Sequence, residues 1–129
     1  MVDANQRFFS PQHIWLTPIY ERNEVRLGIS EFFQDQLGEI THVHLPKLGQ
    51  NYRIGDSLFV IESMKSATEF YSLMTGAVSV VNLSLIDTPQ LINQDPFETG
   101  WLCQMKVNNL AHLTETLMTL TAYEAMLDG

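Results

Sequence analysis

Short apolar runs separated by single turn-forming residues fill most of the chain, and their spacing is that of strands until the C-terminal segment. His13-Ile14-Trp15-Leu16 and Glu24-Val25-Arg26-Leu27 read as strands, the second alternating polar and apolar. Ser30 is placed to cap a short helix over 31–37, with Glu31 in its first turn and Gly38 just past its end. Extended character returns from Ile40 to Leu45. Pro46 and Gly49 then bracket a turn, and Gly55-Asp56 opens another before Leu58-Phe59-Val60-Ile61, which reads as a strand buried on both faces. Thr68 to Leu73, and Ala77-Val78-Ser79-Val80-Val81 after Gly76, are β-branched or aromatic enough to continue the sheet. Thr88-Pro89 resembles an N-cap and first helical residue, predicting one helical turn to Ile92. Trp101, Cys103, Met105 and Val107 alternate with Leu102, Gln104 and Lys106, predicting a half-buried strand with the thiol on its apolar face. Leu110, Leu113, Leu117, Leu120 and Leu127 recur at helical steps, predicting one amphipathic helix over 110–127. The expected body is mainly β, with short helices and a C-terminal helix laid against it.

Composition supports a packed core. The 129 residues are 45% hydrophobic and 17% charged, no linker or low-complexity run interrupts them, and a single domain over 1–129 is expected. Fifteen acidic against seven basic residues leave a charge of -8 with no basic patch, which argues against nucleic acid as a partner. Cys103 is the only thiol, so no internal disulfide, redox pair or multi-cysteine zinc cage can form. The first seven residues lack a signal-peptide pattern, and no apolar run approaches a membrane span. A soluble protein of the cytoplasm is expected, or of the mitochondrial matrix for a eukaryotic source, and the Asn82-Leu83-Ser84 sequon then carries no glycan.

Most catalytic signatures are missing. There is no Gly-x-Ser-x-Gly elbow, and Gly49 to Gly55 lacks the lysine and hydroxyl residue that engage nucleotide phosphates. His42 and His44 would share one face of a strand, but no further ligands stand nearby, so they are expected as surface or partly buried histidines rather than a metal site. The stretch Glu62-Ser63-Met64-Lys65-Ser66 differs, because one of only three lysines sits where two β-prone segments reverse direction. A hairpin over 58–73 would present Lys65 to solvent on a rigid support. A primary amine there suits acylation, which removes a charge and adds reach. An ordinary turn lysine paired with Glu62 or Glu69 accounts for the same pattern.

These residues resemble the H-protein family of the glycine cleavage system, a family of lipoyl carriers, from about His13 through the C-terminal helix. Glu62-Ser63-Met64-Lys65 is similar to the family's Glu-Ser-Val-Lys motif, and Gly76 follows Lys65 after eleven residues, as the family pattern requires. Further matching pieces are Gly28-Ile29-Ser30, Leu37-Gly38-Glu39-Ile40, Leu45-Pro46, Val81-Asn82, the run from Pro89 to Phe97, and Gly100-Trp101-Leu102. The resemblance implies a lipoyl/biotinyl-like barrel-sandwich hybrid with lipoate held as an amide on Lys65, while Glu62 and Gly76 match positions read by a lipoate ligase or lipoyl transferase. It also implies a non-catalytic carrier. Glycine decarboxylase, the P protein, would load the arm with an aminomethyl group. The aminomethyltransferase, or T protein, would pass the one-carbon unit to tetrahydrofolate, and dihydrolipoyl dehydrogenase, the L protein, would reoxidise the dithiol.

The chain departs from the family pattern at several points. Ile14 replaces the glutamate of the usual His-Glu-Trp, so a carboxylate that shelters the loaded arm is expected to be missing. Phe32 and Glu69 are expected to line the arm's groove differently, and Ser72 to Gly76 lacks a common proline. Other readings are an H-like carrier that relays lipoate or serves a redox or modification pathway, a biotin carrier, and an unmodified interaction domain. Met64 points toward biotin, but Ser66 stands where biotin sites carry a second methionine.

Overall fold

The computed structural model describes residues 7–128; the leader reading of the first residues lies outside them, except for Arg7. Among the described residues nine strands form two antiparallel sheets. The larger sheet runs in the order β1 (Phe8–Phe9), β2 (Ile14–Ile19), β3 (Glu24–Ile29), β9 (Cys103–Val107), β8 (Gly76–Val81), β5 (Asn51–Tyr52). The smaller orders β4 (Ile40–His44), β6 (Ser57–Ser63) and β7 (Ala67–Tyr71), so β7 is a free edge. Inward residues of both sheets, among them Ile14, Leu16, Val25, Leu27, Phe59, Ile61, Val78, Cys103 and Met105, make one apolar cluster. Each such side chain contributes roughly 1.5–3 kcal/mol by leaving water. This is the expected barrel-sandwich architecture. The Cys103 thiol is fully buried in it, and burial pushes its pKa up.

The α-helices among the described residues are α1 (Glu31–Leu37), α2 (Ser84–Asp87), α3 (Leu91–Gln94), α4 (Leu110–Glu115) and α5 (Leu120–Asp128). Ser30 caps α1 as expected, its side chain accepting from Phe33 N–H. The turn expected from Pro89 begins later, at Leu91, and α2 was not foreseen. The single helix expected over 110–127 is divided. Met118 exchanges backbone hydrogen bonds of 2.8 Å in both directions with Phe9, which requires extended backbone between α4 and α5. The leucine stripe is divided with it. Leu110 and Leu113 join the main core, whereas Leu120 and Leu127 pack on a second cluster of Phe9, Trp15 and Tyr123.

Two strands differ from the alternation read in sequence. Leu58 and Phe59 are both buried, but a register shift between Ser57 and Phe59 restores alternation, so Val60 and Glu62 face outward rather than into a second buried face. In β9, Gln104 is as buried as its apolar neighbours. Its Oε1 accepts from Arg26 at 2.7 and 3.0 Å, and Glu24 Oε1 accepts from Gln104 and from the Ser79 hydroxyl. Trp101 precedes this strand and lies under the Arg26 guanidinium, 4.6 Å from ring centroid to Cζ. Motif residues serve the same frame. Asn93 donates to Gly38 O and accepts from Ile40 N–H, and Asn82 donates to Thr99 O and Trp101 O.

Candidate functional site

Strands β6 and β7 pair from Ser57 with Tyr71 to Glu62 with Ala67, leaving Met64 and Lys65 at the loop between them. The turn closes through Ser63 N–H donating to Ser66 O at 2.8 Å. Side-chain direction alternates along β6, so Ile61 and Ser63 point into the body while Glu62 points out. Met64 is 75% exposed and Lys65 is exposed beside it. The hairpin expected near 58–73 is therefore present, with Lys65 at its tip.

Neither carboxylate expected as a possible partner of Lys65 is engaged with it among the described ion pairs. Glu62 faces β4, directly opposite His42, and its Oε2 accepts from His44 Nε2. That hydrogen bond, helped by the charge of His44 and His42, holds the Glu62 carboxyl below the usual carboxylate range despite some desolvation. Glu69 accepts from the Tyr71 hydroxyl at 2.9 Å; hydrogen bonds from Ser57 and Tyr71 lower its pKa as well. His42 and His44 are thus exposed residues flanking Glu62. No group of three or more His, Cys, Asp or Glu side chains is disposed to hold a metal among the described residues.

Gly76 lies on the larger sheet, apart from the hairpin, where it opens β8 and pairs with Val107 and Tyr52. Its backbone is not left-handed, so no turn geometry calls for glycine here. The requirement is close approach: a Cβ at this position would sit 2.0 Å from Lys106 O. Gly28 answers a similar demand, since a Cβ there would meet the Trp15 ring at 2.5 Å.

A shallow groove of ≈ 230 Å³ runs along the free edge of β7, lined by Gln12, His13, Phe33, Thr68, Glu69 and Phe70. Phe33 meets Phe70 edge to face at 5.5 Å and stacks on His13 at 5.1 Å. His13 holds a φ of 70°, a left-handed conformation that costs a bulky residue energy. Its Nδ1 lies 2.7 Å from the Tyr123 hydroxyl, which in turn bonds Ser30 Oγ. Burial lowers the His13 pKa, favouring a neutral ring.

Two expectations about this groove change. Ile14 is 1% exposed and packs in the main core, so its side chain is part of the body rather than a wall of the groove. Phe32 is not among the residues that line the groove; its ring lies 5.3 Å from that of His13 and it lines a neighbouring pocket with Tyr123 and Leu127. Glu69 does line the groove. Sequence reasoning passed over Ser63, whose hydroxyl lies within 3.3 Å of the backbone N–H of Lys65 and of Ser66. The available signal was a short loop, Met64-Lys65-Ser66, without glycine or asparagine.

Comparison with known proteins bears on this site. The family model described as "Glycine cleavage H-protein" matches residues 7–129. A glycine cleavage system H protein from Coprothermobacter proteolyticus is 39% identical over 116 residues, covering 90% of each chain. One from Thermus thermophilus is 36% identical over 123 residues, covering 95% of this chain and 94% of its own. The crystal structure of a glycine cleavage system H protein from Mycobacterium marinum superimposes with a TM-score of 0.82 at 26% identity, covering 97% of this chain and 98% of that one.

Proposed function

The chain belongs to the glycine cleavage H-protein family, whose role is that of a lipoyl carrier in glycine cleavage, and from that premise we propose that Lys65 bears the lipoyl group. The observation that carries the assignment is an exposed amine at the tip of a two-strand hairpin, within Glu62-Ser63-Met64-Lys65, with both neighbouring carboxylates engaged elsewhere. An amide at Lys65 Nζ removes one positive charge and leaves the four-carbon stem as a tether. Glu62, half-exposed on the outer face, is the carboxylate that a lipoate ligase or lipoyl transferase reads. Gly76 contributes by letting β8 lie against β9.

Once attached, the group would supply a disulfide able to accept an aminomethyl unit as it is reduced, with dihydrolipoyl dehydrogenase as the enzyme that would remove the two electrons afterwards. The chain supplies address, reach and shelter. Phe33, backed by the buried Phe70, would offer an apolar wall to the hydrocarbon of the arm; His13 and Glu69 would offer polar contacts along the same groove. With its Nδ1 committed to Tyr123, the His13 ring is held in one orientation. No nucleophile and base pair is required of the protein. Its partners are glycine decarboxylase, the aminomethyltransferase, dihydrolipoyl dehydrogenase and the attaching enzyme, in the cytoplasm or, for a eukaryotic source, the mitochondrial matrix. Tethering makes each transfer effectively intramolecular once a partner docks. No helix among the described residues is long and apolar enough to cross a membrane.

The test is a glycine–bicarbonate exchange assay with glycine decarboxylase. The lipoylated wild type should support exchange and Lys65→Arg should not. Exchange supported equally by Lys65→Arg would overturn the assignment.

A further inference from the structure

The loop that presents Lys65 is Met64 to Ser66, between the end of β6 and the start of β7, and it contains no glycine. Among the described non-glycine residues positive φ occurs only at His13 and Asn23, so Met64, Lys65 and Ser66 all stay on the ordinary side of the map. No left-handed residue sets this turn, so something else must fasten it. The backbone N–H groups of the tip identify the fastener. Ser63 N–H donates to Ser66 O at 2.8 Å and Met64 N–H to Glu39 O at 3.3 Å. The remaining two, of Lys65 and Ser66, both donate to Ser63 Oγ at 3.3 Å. The Ser63 hydroxyl also lies 3.4 Å from Ser66 O, toward which it donates.

We infer that Ser63 is a positioning residue for modification of Lys65: its buried hydroxyl fixes the loop so that the amine is offered to the attaching enzyme in one geometry. Ser63 suits this because alternation along β6 turns its side chain inward, beneath the loop, where it is 9% exposed while Met64 and Lys65 stand in solvent. The acceptor is thus held in place by the body while the residues it fastens stay exposed. Without the hydroxyl, both N–H groups lose their acceptor and the loop must be ordered at the moment the enzyme binds, which costs affinity for the productive complex. This rests on the reading of Lys65 as the lipoyl site.

The experiment measures lipoylation kinetics with a lipoate ligase, ATP and lipoate on wild type, Ser63→Ala and Ser63→Thr, with backbone 15N relaxation on each. Ser63→Ala should lower kcat/KM about tenfold, the change that ~1.4 kcal/mol of lost loop order converts to. Order parameters at Met64, Lys65 and Ser66 should fall toward the flexible range, below about 0.6. Ser63→Thr, which keeps the hydroxyl, should restore both. Equal rates for wild type and Ser63→Ala, or a threonine variant as slow as the alanine one, would overturn the inference while leaving Lys65 as the site. A wild type that takes up no lipoate would overturn the carrier reading instead. Should Ser63→Ala not fold, relaxation of the wild type decides: a loop already flexible at Lys65 contradicts the inference, and a rigid one supports it.

Discussion

Replacing Gly76 with alanine separates two ways in which a glycine eleven residues beyond the modified lysine could matter. The new Cβ would lie 2.0 Å from Lys106 O and 3.1 Å from Lys106 C, about 1 Å or more short of an ordinary contact with the oxygen. Both atoms are backbone and cannot rotate away. Strand β9 is itself held on its other side by β3, and β8 by the short β5, so relief must come from parting β8 and β9 at the Gly76–Val107 pair. Overpacking of this kind costs roughly 1–3 kcal/mol, which for a chain of this size lowers Tm by about 4–11 °C. The assay pairs thermal unfolding, followed by near-ultraviolet circular dichroism, with lipoylation rates measured well below and near the variant's midpoint. The structure predicts a lowered Tm, with loss of lipoylation that follows the unfolded fraction and recovers on cooling. An alanine variant that melts within about 1 °C of wild type yet resists lipoylation would refute the reasoning and make Gly76 a direct contact of the enzyme.

Ile14→Glu should be severely destabilising, by about 3–5 kcal/mol in urea unfolding, because an unpaired carboxylate replaces a core side chain that is 1% exposed. A variant as stable as wild type would mean that position 14 faces the groove after all. Titration of Glu62 by carboxyl 13C shifts should give a midpoint below the ordinary glutamate value, and His44→Gln should move it upward by removing the largest cause. Because the folded value is the depressed one, the stabilisation from this contact is complete above the unfolded glutamate pKa and disappears as pH falls through the folded value. Glu62 is exposed, so the gain in stability is small and the shift itself is the readout. An unchanged midpoint in His44→Gln would contradict the assigned partner.

Much of the fold was legible because alternation and capping are local signals. β2, β3 and β8 form where β-prone runs stand in the sequence, and Ser30 caps α1 through its own side chain. What escaped was decided by distant partners. The C-terminal leucines keep helical spacing through Leu117, but a backbone bridge from Phe9 to Met118 breaks the helix, and β1 is only two residues long. Gln104 reads as an outward polar residue, and its burial follows from Glu24, Arg26 and Ser79 on neighbouring strands. At the site, Lys65 and Glu62 stood out through residue type and spacing. The His44 contact depended on the pairing of β4 with β6, and the role of Ser63 on which way its side chain points, neither of which a linear pattern specifies. Ile14 shows the converse: a departure from a motif that reads as functional is absorbed by packing.

The central claim is that one amine carries the lipoyl group, and intact-mass analysis tests it most directly. After incubation with a lipoate ligase, ATP and lipoate, the wild type should gain the mass of a single lipoyl group, mapped to the peptide containing Lys65, and Lys65→Arg should gain none. A wild type that stays unmodified under conditions that lipoylate a known acceptor, or an adduct that persists in Lys65→Arg, would contradict the account.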